Sequence, residues 1–136
     1  MQNANCRMQK DVSPPAPRDL RLRTREFALR VIRMVQALPR NPLATAIGGQ
    51  VLRSGTSVGA NYRSACRARS QAEFISRMHI VLEETDESHY WMELLAASHL
   101  VPERRLLSLM KEAEELVAIA VTSINTARKR GKPART

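Results

Sequence analysis

The chain has 136 residues, with 22 Lys and Arg against 13 Asp and Glu, for a formal net charge of +9. That length predicts a single domain, and a hydrophobic share of 43% excludes a wholly disordered chain. Aromatics make up 4%, with five Gly and seven Pro, which points away from a loop-rich β-protein and toward a core of Leu, Val, Ile, Ala and Met.

Residues 1–19 read as a flexible arm: they are polar, carry Ser13-Pro14-Pro15-Ala16-Pro17 and show no apolar period. Helix α1 is expected over about 20–38, where Phe27, Val31, Met34, Val35 and Leu38 recur three or four apart and Pro39 stops the helix. Helix α2 is expected over about 42–68. Asn41 caps it, Pro42 fits its first turn, and Ile47, Val51, Val58, Tyr62 and Ala65 form its inner face with Gly55 between them. Gly48, Gly49, Gly55 and Gly59 each cost about 1 kcal/mol in a helix interior. The segment is still expected to stay helical, because small residues permit close helix packing.

Helix α3 is expected over about 71–99, opened by the capping box Ser70-Gln71-Ala72-Glu73. Its inner face is Phe74, Met78, Val81, Leu82, Thr85 and Met92. Helix α4 starts near Pro102 and ends before Gly131, with Leu106, Met110, Ala113, Val117, Ala120 and Ile124 alternating four and three apart and Leu109 and Leu116 widening the stripe. The last residues, 130–136, read as a basic tail. Short links between long amphipathic helices make neighbours antiparallel, so the fold class is all-α: an up-down-up-down antiparallel four-helix bundle over 20–129.

Charge is uneven along this frame. Residues 24–70 carry eight Arg and one Glu, whereas residues 71–101 carry six acids and one Arg. A uniformly basic coat is therefore excluded. At 100° per residue, Arg53, Arg63 and Arg67 fall opposite the inner face of α2, and Arg25 and Arg33 face away from the core of α1. Guanidinium groups contact phosphates bidentately, so these five are the candidate nucleic-acid contacts. The competing reading is a solvated face, or one paired with the acids of α3. On α3, Ile80, Glu83, Glu87, Trp91 and Leu94 lie on a second, outer face. A bundle needs one face per helix, so this one is expected at a subunit interface; the alternative is a broad core stripe with Trp91 partly buried.

Catalytic and metal chemistry find little support. His79, His89 and His99 are spaced by ten, which rotates successive side chains by about 80°, so they do not converge. Asp86-x-x-His89 lacks the companion ligands of a di-iron bundle, and His89 reads as a hydrogen-bonded core histidine. Cys6 and Cys66 have no supporting CxxC pair, and Cys66 sits on the apolar edge of α2, where a cysteine usually packs. Two cysteines form no disulfide framework, so a reduced cytoplasmic setting is expected. No apolar run approaches the roughly 20 residues that span a bilayer, and the first residues lack the apolar stretch of a secretory signal. Ser54 and Ser57 lie in helical sequence and form no strand-turn-helix elbow. Asn61, at the edge of the inner face, is expected to bond Ser57 or a polar group of α3 and so fix helix register. The expectation is no enzyme, no metal, no cofactor and no membrane.

The run Gln50-Val51-Leu52-Arg53-Ser54-Gly55-Thr56-Ser57-Val58-Gly59-Ala60-Asn61-Tyr62-Arg63 is followed by Ala72-Glu73-Phe74-Ile75 and by Glu83-Glu84-Thr85-Asp86-Glu87-Ser88-His89-Tyr90-Trp91-Met92-Glu93-Leu94-Leu95. Together they resemble the four-helix-bundle family of proteins encoded in 23S rRNA intervening sequences, over about residues 20–126. The resemblance implies an up-down-up-down bundle that assembles as a homopentamer. It also implies kinship with the accessory variability-determinant protein of diversity-generating retroelements, a basic pentamer that binds nucleic acid and a reverse transcriptase. It implies no established catalytic site. Ser57, Val58 and Asn61 match the family's first motif, and Glu84, Glu87, Tyr90 and Trp91 its second. Where many members show a further Glu-Gly, this chain has Ser64-Ala65-Cys66-Arg67. The partners expected on this basis are further copies of the chain, RNA or DNA, and a reverse transcriptase or other protein.

Overall fold

The computed structural model describes residues 19–131, and among them there is no strand. Four helices follow in chain order: α1, Leu20–Gln36; α2, Pro42–Cys66; α3, Gln71–Ala97; and α4, Glu103–Gly131. Each packs on the next in sequence, most extensively α2 on α3, and α4 closes on α1 by the thinnest seam. The result is an antiparallel four-helix bundle. Residues 1–18 of the expected arm and residues 132–136 of the expected tail lie outside the described residues. Arg130 and Gly131 belong to α4.

Local chemistry sets the helix ends. Asp19 accepts a hydrogen bond from the Arg21 N–H at 3.0 Å to start α1. Asn41 accepts from the Leu43 N–H at 2.8 Å and caps α2, with Pro42 in the first turn. Ser70 accepts from the Glu73 N–H at 3.0 Å. The Glu73 carboxylate reaches back to the Arg69 N–H, one residue before the cap itself. Helix α3 ends two residues earlier than its apolar pattern suggests. His99 takes a left-handed φ of 61°, its N–H bonds the Ala96 carbonyl at 3.0 Å, and the Leu100 N–H bonds the Leu95 carbonyl at 3.1 Å. This is a Schellman cap with histidine where glycine is usual. At the other end of α4, the Gln71 amide donates to the Ala127 carbonyl at 2.7 Å, satisfying a carbonyl near the helix terminus.

The core comprises Phe27 and Val31 of α1, Val51, Val58, Tyr62 and Ala65 of α2, Phe74, Met78, Val81 and Met92 of α3, and Leu109, Ala113, Leu116, Ala120 and Ile124 of α4. Full burial of each large apolar side chain is worth about 1.5–3 kcal/mol. On α4 the inner stripe is rotated from the expected one: Leu109 and Leu116 are buried, whereas Met110 and Val117 are half-buried at its edge. Leu95, Val101 and Leu106 form a smaller cluster at the α3–α4 end. Helix α2 is unbroken through its glycines, because it lies close against α1. A Cβ on Gly55 would stand 2.9 Å from the Val31 methyls, one on Gly59 3.3 Å from Thr24 Oγ1, and one on Gly48 2.6 Å from Leu38 Cδ1.

Candidate nucleic-acid interface

Buried hydroxyls bond within the bundle, Thr24 and Thr85 to carbonyls of their own helices and one serine pair across two helices. Ser88 Oγ of α3 donates to Ser54 Oγ of α2 at 2.9 Å in the interior, and Thr85 Oγ1 donates back to the Val81 carbonyl at 2.6 Å. The α2–α3 register is thus set by a serine pair. Asn61 is half-buried and donates to the Ser57 carbonyl of its own helix at 2.9 Å, so it takes the local partner of the two expected and links no second helix by that bond. His89 is also only half-buried: its ring nitrogens face Glu93 Oε1 at 3.2 Å and Glu114 Oε2 at 3.0 Å, at the α3–α4 edge, so it is not a core histidine. Among the described residues no group of three or more His, Cys, Asp or Glu is arranged to hold a metal ion.

The five candidate arginines all face solvent, but they do not share one surface. Arg53 lies across the α2–α3 edge from two acids: Nη1 is 3.1 Å from Glu84 Oε2, and Nη2 bonds Glu87 Oε2. These carboxylates raise the guanidinium pKa further above its ordinary value. Glu87 also accepts from the Trp91 indole N–H at 2.9 Å. That bond first, and Arg53 with it, holds the Glu87 carboxyl below the usual carboxylate range. Among the described residues Arg25 pairs with its neighbour Glu26 alone, at 4.0 Å. Arg63 lies in the last turn of α2 and Arg67 is its C-cap residue, and neither has an acid partner among the described residues. Arg33 faces a cleft between α1 and α4.

The outer face of α3 is partly engaged by its own subunit. Ile80, Glu87, Trp91 and Leu94 are half-buried, and Glu83 is exposed. Trp91 packs against the main core, and its ring meets that of the exposed Tyr90 edge-on at 5.1 Å. Two features escaped the sequence reading. Arg23 of α1 grips Glu112 of α4 with two bonds of 2.8 Å and Glu115 with one of 2.7 Å, a clamp that raises the Arg23 pKa. Arg30 donates to Ser108 Oγ at 2.8 Å. Both depend on which residues of α1 and α4 face each other, which only the closed bundle fixes.

The fold and its motif residues define an all-α bundle with a basic α1–α2 half and an acidic α3. Residues 19–122 match the family model of the 23S rRNA-intervening sequence protein, and the chain belongs to that family. A solved structure similar to it is that of a Bacteroides thetaiotaomicron protein of unknown function from the S23 ribosomal protein family. It is 33% identical with a TM-score of 0.72, over 76% of this chain and 96% of that one. No curated protein matches the chain. Among the described residues no helix is long and apolar enough to cross a membrane.

Proposed function

We infer that the protein is a non-enzymatic, self-assembling bundle of the cytoplasm that associates with nucleic acid as an accessory or scaffold, contacting phosphates through its basic helix faces. The observation that carries this reading is a set of solvent-facing arginines without carboxylate partners among the described residues: Arg33, Arg63 and Arg67, with Arg25 weakly held. Arg53 contributes less, because Glu84 and Glu87 already neutralise it. Phosphate contacts of this kind position a nucleic acid without reading its sequence, and the few aromatics suit no base-stacking platform. The resemblance of the motif residues to the retroelement accessory proteins favours the same reading, and on that resemblance we extend the proposal to a homopentamer with a reverse transcriptase or other protein as a further partner. The test is binding of a short RNA and a short DNA duplex across a salt series. Affinity is expected to fall steeply as salt rises, and absence of binding to both at low salt overturns the proposal.

A second reading is a purely structural module in which basic and acidic helices pair between subunits. It draws on Glu83, which is exposed on α3 and has no partner among the described residues. Glu83→Lys is the clean probe, because Glu87 is already committed to Arg53 and Trp91. Loss of the oligomer by light scattering supports this reading, and an unchanged mass counts against it.

A further inference from the structure

We propose that the α1–α4 cleft lined by Arg30, Arg33, Met34, Arg105, Ser108 and Leu109 is the principal phosphate seat, taking a phosphodiester of a nucleic-acid backbone. This rests on the nucleic-acid reading above and places its main contact on a seam that the sequence pattern did not single out. The cleft has a volume of about 370 Å³, at the small end of the range for ligand sites. Three guanidinium groups converge on it from two helices, and none has a carboxylate partner among the described residues.

The neighbouring acids are occupied or turned away. Glu112, one turn beyond Ser108, is held by Arg23 together with Glu115. Glu26, one turn before Arg30, leans on Arg25. Glu103 lies about 200° around α4 from Arg105. The clamp at Arg23 thus leaves the next two turns of the seam with uncompensated positive charge. Arg30 is positioned: it is half-buried, and its bond to Ser108 Oγ holds the guanidinium at the cleft wall. Arg33 and Arg105 are exposed and free to close on a ligand. Planar guanidinium forks match phosphate oxygens two at a time, and the apolar floor of Met34 and Leu109 suits the adjoining sugar. The cleft outranks the α2–α3 edge, where the fixed cation, Arg53, is already neutralised.

The test compares Arg33→Gln/Arg105→Gln with Arg40→Gln/Arg77→Gln, which removes the same charge at two exposed positions outside the candidate contacts. Binding of labelled RNA and DNA to the full chain is read by fluorescence anisotropy across a salt series. The cleft pair is expected to lose affinity about tenfold or more and to reduce the log–log salt slope by about two, while the Arg40/Arg77 pair loses less than about threefold. Arg33→Lys/Arg105→Lys, which keeps charge without the fork, is expected to fall between wild type and the Gln pair. Equal losses from the two Gln pairs overturn the cleft and leave the nucleic-acid reading standing. Wild-type chain that binds neither RNA nor DNA overturns both. Binding to phosphatidylserine vesicles without binding to nucleic acid overturns the phosphodiester assignment in favour of a membrane surface.

Discussion

Arg53, Glu87 and Trp91 form a chain of contacts that ties the basic second helix to the acidic third within one subunit. The Glu87 carboxyl titrates below the usual carboxylate range, because the indole N–H and then the Arg53 guanidinium favour its charged form. Its folded pKa is depressed, so its contribution to stability is present above about pH 4.3, the ordinary glutamate value, and is lost as pH falls through the lower folded value. Trp91 is the sole tryptophan, which gives a direct readout: its fluorescence should titrate at acid pH, and Glu87→Gln should remove that transition. A second residue-scale prediction concerns His99, whose left-handed backbone suits glycine. His99→Gly should stabilise the fold by about 1 kcal/mol, measured by urea denaturation. Neither effect was legible beforehand. Sequence spacing places Glu87 and Trp91 one turn apart, but the α2–α3 register that brings in Arg53 is set by Ser54 and Ser88, whose small hydroxyls give no periodic signal. Likewise the apolar pattern of α3 runs on through its cap, and a histidine at a left-handed position leaves no mark.

At the scale of elements, the glycines of α2 divide into two kinds. Gly55 is required by Val31 at 2.9 Å, whereas Gly49 faces open space. Gly55→Ala should force α1 and α2 apart and cost about 1–3 kcal/mol. In the isolated subunit, Gly49→Ala should gain up to about 1 kcal/mol, the usual penalty of a helical glycine. Thermal melts of the two variants check both. The helices themselves were plain in the sequence because apolar period, the Asn41 and Ser70 caps and Pro42 point to the same elements. The rotation of the α4 stripe was not, because Leu109, Met110, Leu116 and Val117 are all apolar, and only packing decides which of each pair turns inward.

At the scale of the molecule, opposite charge is partly satisfied inside the subunit: Arg53 meets Glu84 and Glu87, and Arg23 meets Glu112 and Glu115. The net +9 is therefore expressed by the cations those clamps leave over. The five arginines singled out by helical spacing do not share one surface. One of them, Arg33, joins Arg30 and Arg105 at the α1–α4 seam, a grouping that needs the bundle to close before it exists. The proposed role requires that the bundle assemble and that the assembly carry nucleic acid on these cations. Sedimentation of the full chain with a short labelled RNA, at low and at high salt, tests it most directly. The expected result is a species several times the 15.3 kDa of one chain, with RNA travelling alongside it at low salt and released at high salt. A 15.3 kDa species that leaves the RNA behind at low salt would contradict it.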